Sequence, residues 1–295
     1  MRVDRFKLTP DNSPAYLAVN AAQFAPTFDA TAVSPKLGFV VALSPRVNVF
    51  AQYNRGFRYP TAEDLTSTFT NPVARYKTLP NPNLKEETSD AYEVGIKGQP
   101  VRDLTLRAAA FYTGYDNFIE QIVATGVFDP AWPAGVFQTQ NRANARIYGG
   151  EVFVRYVLGA GFSTHAAVGY AKGSYQVVNG ARVPLTTIEP LKANSGLSYD
   201  APRGNWGAML SAEFADGKRP GTGTVFRQPS YAILNLTGYW RINEQASLSL
   251  GLHNLTDEKY WRYSNIRGIA ATNLAEQQRR TEAGFNTALT VNLRY

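Results

Sequence analysis

The stretch "RVNVFAQYNRGFRYPTAEDLTSTFTNPVARYKTLPNPNLKEETSDAYEVGIKG", Arg46 to Gly98, decides the fold. Its first part alternates with a period of two. Val47, Val49, Ala51 and Tyr53 fall on one face, and Asn48, Gln52 and Asn54 on the other. One apolar and one polar face is the signature of a strand. The last part alternates again, yet roughly thirty polar residues lie between, too many for an ordinary hairpin loop; loops of that length are functional or disordered. Working outward, "ASLSLGLHN" sets Ala246, Leu248, Leu250 and Leu252 opposite Ser247, Ser249, Gly251 and His253. "NTALTVNLRY" sets Leu289, Val291, Leu293 and Tyr295 opposite Thr290, Asn292 and Arg294.

This pattern predicts about twelve strands, near 1–8, 35–43, 46–58, 88–98, 103–123, 138–157, 161–178, 186–200, 205–217, 229–241, 244–255 and 283–295. Short turns ("SPR", "QPVRD", "GAG", "APRG", "NEQ") alternate strictly with long polar connections near 9–34, 59–87, 124–137, 177–185, 218–228 and 256–282. Long loops at one end and short turns at the other are expected of an all-β, transmembrane antiparallel β-barrel of the outer membrane, with an apolar outer band and a polar interior. A soluble sandwich gives no reason for that asymmetry. Tyr112, Tyr156, Tyr170, Tyr239 and Trp240 are expected in the aromatic girdles at the two interfaces. The short turns and both termini then face the periplasm, the strand count is even, and loop 59–87 lies outside the cell.

Composition closes off other classes. The 295 residues include no Cys, two His and a net charge of +7. No thiolate metal site, disulfide or Cys nucleophile is possible. Lys and Arg are scattered among 23 acids, so no nucleic-acid partner is expected. No P-loop, dinucleotide fingerprint or nucleophile elbow appears, and His165 and His253 fall on well-separated strands, so no enzyme is expected. No apolar run approaches the ~18 residues of a membrane helix, and "MRVDRFKLTP" is not followed by a signal-peptide core.

Several motifs carry a resemblance. "GFRYP" (56–60) followed by "NPNLKEETSDAYEVGIKG" (81–98) resembles the FRAP and NPNL loop boxes of TonB-dependent outer-membrane receptors that take up haem. "QNRANARIYGGEVFVRY" (140–156), "PLKANSGLSYDAPRGNW" (190–206), "YAILNLTGYWRI" (231–242) and "LHNLTDEKYWRYSNIRGI" (252–269) continue it. "NLTDEKY" is general to such receptors, whereas "WRYSNIRG" looks like the haem, haemoglobin and transferrin branch. Tyr295 looks like the C-terminal assembly signal. The resemblance implies a 22-stranded barrel around a plug, of which residues 1–295 would be the C-terminal barrel portion. The plug, the TonB box and a signal peptide have no match in the chain. It also implies haem as the transported ligand with no prosthetic group. Implied partners are a haemoprotein, the TonB system acting through the plug, and outer-membrane lipid and lipopolysaccharide. The alternatives are a ferric-siderophore receptor of the same family and a stand-alone twelve-stranded pore or enzyme.

Haem iron takes an axial His, Cys, Met or Tyr. The family's haem branch usually carries a His between the two boxes, and "TAEDLTSTFTNPVARYKTL" has none. Tyr76 is then the candidate iron ligand, its phenolate favoured by ferric iron or by Arg75 and Lys77; the other reading is a packing role. Arg58 is a candidate for a haem propionate or for Glu63 or Asp64. His253, near the extracellular end of its strand, is a candidate wall contact to ligand, or satisfies polar neighbours. His165, near a periplasmic turn, suits lumen lining or plug contact. The two boxes are read as fold-and-gate devices. Tyr260, Trp261 and Tyr263 are expected either to offer a flat porphyrin contact or to anchor the strand end at the interface.

Overall fold

A computed structural model describes residues 1–11, 13–19, 27–66, 68–124, 129–176, 180–218 and 224–294; Tyr295 lies outside them. In chain order the elements begin with β1 (Arg2–Leu8), α1 (Pro14–Val19), β2 (Phe28–Ser34), β3 (Lys36–Ser44), β4 (Val47–Arg58), α2 (Ala62–Thr66), β5 (Phe69–Asn71) and β6 (Tyr76–Leu79). Next come β7 (Glu87–Gly98), β8 (Leu104–Val123), β9 (Gly135–Gly159), β10 (Phe162–Gln176), β11 (Arg182–Pro184) and β12 (Lys192–Asp200). The remainder is β13 (Trp206–Ala215), β14 (Tyr231–Arg241), β15 (Ala246–His253), α3 (Tyr263–Ile266), α4 (Leu274–Arg279) and β16 (Asn286–Leu293).

Eleven strands form one meander in the order β16-β15-β14-β13-β12-β10-β9-β8-β7-β4-β3, each antiparallel to its neighbours. The sheet does not close on itself. β3 and β16 each pair on one side among the described residues and are exposed throughout. The short turns all lie at one end and the long connections at the other, as the sequence predicts.

Register shows what each face is for. One face carries Leu37, Phe39, Val94, Val152, Val168, Leu197, Leu210, Leu236, Leu250 and Leu289, all solvent-exposed. An apolar surface this continuous on a water-soluble monomer would be a liability; facing lipid it is required. The opposite face carries Gln52, Glu93, Arg107, Glu151, His165, Asn194, Ser211, Thr237 and Thr290, the polar lumen side.

Two aromatic rows border the apolar band. Towards the long loops, Tyr53, Tyr92, Tyr112 and Tyr148 stand directly opposite one another on four successive strands. Towards the short turns, the rings of Phe162 and Tyr199 are 4.7 Å apart and those of Tyr199 and Trp206 5.0 Å. Trp206 faces Trp240. Leu104 pairs with Tyr156 and Tyr112 with Tyr148, so nine residues of each strand, both ends included, span the two levels, close to the ~9–11 that cross a bilayer. Tyr239 corrects the expectation. It faces the lumen, donating to Asp200 Oδ1 at 2.7 Å with the Arg241 guanidinium over its ring. Adjacent strand residues point to opposite sides, so Tyr239 and Trp240 cannot share a girdle.

The long connections hold more structure than expected. The predicted first strand pairs not with 35–43 but with β2, inside the expected loop 9–34. β2 continues β3 upwards beyond Pro35, and "FDATAVS" has too little apolar contrast between its faces to announce a strand. β5, β6 and β11 are likewise short ribbons within expected loops. β8 and β9 run far past the upper tyrosine row, forming a stalk above the membrane.

Candidate ligand-capture loops

Residues 59–87 fold back onto that stalk. α2 opens with a reciprocal cap: Asp64 N donates to Thr61 Oγ1, and Thr61 N and Oγ1 donate to Asp64 Oδ2 at 3.1 and 2.8 Å. The cap turns Leu65 inward, where it is almost fully buried. β5 and β6 make a small hairpin whose turn uses Asn71 Oδ1 to accept from Ala74 N and Arg75 with φ 55°. β6 then lies parallel to the start of β9. Lys77 Nζ donates to Asp129 Oδ2 at 2.7 Å. That bond, followed by the Ala131 amide, holds the Asp129 carboxyl below its usual pKa.

The second box straps the loop down. Asn81 Nδ2 donates to Thr139 O and Gln138 Nε2 to Pro80 O, while Asn81 Oδ1 accepts from Asn83 N in an Asx turn. Asn141 exchanges two bonds with the Lys85 backbone, at 2.8 and 2.9 Å. Pro60, Pro80 and Leu84 are buried beneath. At the base, Arg58 and Glu87 are strand partners whose side chains converge on the backbone of one residue. Glu87 Oε2 accepts from Ile119 N, Arg58 Nη2 donates to Ile119 O, both at 2.8 Å, and the two side chains meet at 3.4 Å. β7 stops short of Ile119, and these side chains replace the missing strand.

The C-terminal loop is organised by Asn254, buried with φ 51°. Its Nδ2 donates to the carbonyls of Glu258 and Ala283 and its Oδ1 accepts from Glu258 N, joining the loop's two ends. Tyr260 packs on Tyr231 at 4.6 Å within a cluster with Ala215 and Ile233. Tyr263, also buried, donates to Thr186 O at 2.6 Å, and burial raises its pKa. Trp261 Nε1 donates to Gln277 O, its ring against Phe226. Tyr260 and Tyr263 are therefore interior packing of the loop, neither an interface anchor nor an open porphyrin platform. Arg262 bridges Glu213 and Glu282 at 3.3 and 3.6 Å.

The three candidate residues sit apart. The Tyr76 ring is held between Phe69 and Phe137, at 5.9 and 5.8 Å, beside a cleft of about 410 Å³ with Glu63, Asp64, Thr78 and Gln121. Its hydroxyl makes no side-chain hydrogen bond among the described residues. Lys77 is committed to Asp129. Arg58 pairs with Glu87, not with Glu63 or Asp64. His253 faces the lumen on β15, five strands along from β9, in a cavity of about 430 Å³ shared with Asp200, Tyr239 and Thr290. Its ring lies flat on the wall over Gly251, where a Cβ would come within 2.6 Å of Nε2. His165 lies over Gly196 in the same way, stacked on Phe153 at 6.5 Å. Among the described residues no group of three or more His, Asp or Glu could hold a metal ion. Sequence reading missed Glu87, Asn141 and Asn254. Glu87 was accessible through its register opposite Arg58; Asn141 and Asn254 lie in quoted motifs, but their bonding partners, residues 85 and 283, are remote in sequence.

An antiparallel wall with one lipid face, one polar face, two aromatic rows and folded loops at one end is the wall of an outer-membrane β-barrel. The description "TonB dependent receptor-like, beta-barrel" matches residues 1–255, and the chain belongs to that family, whose members are receptors of the Gram-negative outer membrane. It is 29% identical over 265 residues to hemoglobin-haptoglobin utilization protein B of Neisseria meningitidis serogroup C, covering 79% of this chain and 32% of the relative. It is 29% identical over 246 residues to hemoglobin and hemoglobin-haptoglobin-binding protein A of Haemophilus influenzae, covering 74% and 22%. The chain thus spans about a third or less of these relatives. Among solved structures it resembles the copper transporter OprC (TM-score 0.72, 20% identity) and a ferric enterobactin receptor of Pseudomonas aeruginosa (TM-score 0.64, 24% identity). Each comparison covers 90% of this chain and 40% of the other. At such identities the two structures speak to the fold.

Proposed function

We propose that this chain supplies barrel wall and extracellular capture loops to a receptor that takes haem from a haemoprotein. Such a receptor would be driven by the TonB system through a plug held against the lumen face. The observation that carries this reading is the similarity, across about four-fifths of the chain, to proteins named for haemoglobin and haemoglobin–haptoglobin. The strapped loop 59–87 supports it: a rigid extracellular surface pays less ordering entropy on docking than a loose one. Within that loop Tyr76 is the iron-ligand candidate, with a clamped ring and a hydroxyl that has no hydrogen-bond partner among the described residues. Arg58 acts at the loop's base, through Glu87 and Ile119, and His253 is a lumen-wall contact further along the path. Haem titration of the purified protein tests this. A Soret shift lost in Tyr76→Phe is expected, and no spectral change at saturating haem would overturn the assignment.

The absence of any His between the two boxes favours a second reading, a ferric siderophore as ligand. Ferric-siderophore binding by tryptophan fluorescence, unaffected by Tyr76→Phe, is its expected outcome.

A further inference from the structure

The cleft beside Tyr76 carries chemistry that iron ligation does not use. It is walled by α2, the β5–β6 hairpin and the stalk strands β8 and β9, and its volume of about 410 Å³ falls within the ~300–1,000 Å³ of small-molecule pockets. The cap on α2, the rings of Phe69, Tyr76 and Phe137, and the straps of the second box hold it ready-made. β6 alternates, so Tyr76 and Thr78 border the cleft while Lys77 turns away to Asp129. Among the described residues no Lys, Arg or His lines it, and Glu63 makes no hydrogen bond or ion pair. A carboxylate or phosphate ligand would meet Glu63 and Asp64 with no counter-charge.

The polar groups inside the cleft are poorly satisfied. Thr139 is only 7% exposed, yet its hydroxyl donates to Asp64 Oδ1 at 3.4 Å. Gln121 Nε2 donates to Thr78 Oγ1, also at 3.4 Å. Both exceed ordinary hydrogen-bond lengths, whereas Lys77–Asp129 and Asn81–Thr139, which brace the same loop from outside the cleft, are 2.7 and 2.8 Å. A ligand that both donates and accepts would shorten all of them. A cation would leave the Gln121 and Thr139 donors without an acceptor. On the cleft's flank the Phe69 ring is 50% exposed, a flat apolar face beside these polar groups.

We propose that this cleft binds a pyranose ring of a neutral sugar. Sugar hydroxyls donate to the Glu63 and Asp64 carboxylates and accept from Gln121 Nε2 and Thr139 Oγ1, replacing the two long bonds. The sugar's C–H face lies on the Phe69 ring, whose π face is negative. The haem reading uses the Tyr76 hydroxyl alone, so the two assignments are separable. Neutral sugar of this kind is carried by the glycan of a glycoprotein or by a bacterial polysaccharide.

The test is saturation-transfer NMR on the purified protein without haem, with the methyl glycosides of mannose, galactose and glucose as probes. Transfer to the ring protons of at least one is expected, falling at least fivefold in Phe69→Ala and in Gln121→Ala. Val73→Ala, at the hairpin tip outside the cleft, should leave it unchanged. The uronic acid of whichever sugar binds adds a carboxylate and should show at least fivefold less transfer, an arm that needs no variant to fold. No transfer to any of the three, equal transfer to the uronic acid, or no loss in the folded variants would overturn the proposal. Displacement of the glycoside by a desialylated N-glycan assigns the sugar to a glycoprotein, and displacement by dextran assigns it to a bacterial polysaccharide. Displacement by neither would leave binding at probe concentration only and overturn the proposal. Absent sugar binding beside an intact Soret response refutes this inference alone, and the reverse refutes the haem reading alone.

Discussion

At the residue scale, the backbone of Ile119 shows how the loop is held. Ile119 has no strand on one side, and Glu87 and Arg58 satisfy both of its backbone groups. Glu87→Ala would leave the Ile119 amide buried without a partner and Arg58 without its counter-charge. A cost of about 1–3 kcal/mol is expected. Hydrogen exchange should locate it at residues 76–85 and 117–121 rather than in the wall. Tyr76→Phe keeps both ring contacts and should leave stability within about 0.5 kcal/mol, so a change in haem response in that variant reports on the ligand. The Lys77–Asp129 pair gives a pH dependence of known sign. Because the Asp129 carboxyl is held low, its contribution is complete above the ordinary Asp value of about 3.9 and is lost as pH falls through the depressed one. Protection factors at 76–79, corrected for intrinsic exchange, should fall on acidification, and Asp129→Asn should remove that step.

At the element scale, the wall and the loops differ in how far the sequence reveals them. Alternation in "RVNVFAQYN" and "ASLSLGLHN" locates β4 and β15 because lipid on one side and water on the other impose opposite demands at every residue. Above the membrane that contrast disappears. β5, β6 and β11 are short ribbons solvated or packed on neighbouring segments, and β2, although alternate residues of it are half-buried, sets Phe28, Ala30 and Ala32 against Asp29, Thr31 and Val33, too little contrast to read as a period. The aromatic loop "KYWRY" misled for the same reason. Girdle tyrosines and buried tyrosines share a composition, and only the fold places Tyr260 against Tyr231 and Tyr263 against Thr186. Of the site, the two boxes read as fold-and-gate devices, and that they strap the loop to β9 emerges only from the structure. Their anchor points on β9, Gln138, Thr139 and Asn141, lie more than fifty residues away in sequence and leave no local trace. The straps make a further prediction. Leu65→Ala, emptying the pocket under α2, should cost about 2–5 kcal/mol of loop docking and appear as proteolytic nicking within 59–87 while the wall stays resistant.

At the scale of the whole molecule, the two faces of the sheet set what each can tolerate. Val152 lies midway between the tyrosine levels on the lipid side, and Ala167 borders an open lumen cavity of about 910 Å³. Val152→Arg should cost about 2–4 kcal/mol in urea titrations of protein folded into vesicles, and Ala167→Arg much less. The reverse order would exchange lipid and lumen. The central functional claim is capture of a haemoprotein by the strapped loops on this wall, and the most direct measurement is retention of the purified protein on immobilised haemoglobin. The account predicts specific retention that ferric enterobactin does not displace and that falls at least fivefold when Glu87→Ala loosens the loop. Passage of the protein through that column unretained, with tight binding of a ferric siderophore instead, would contradict it.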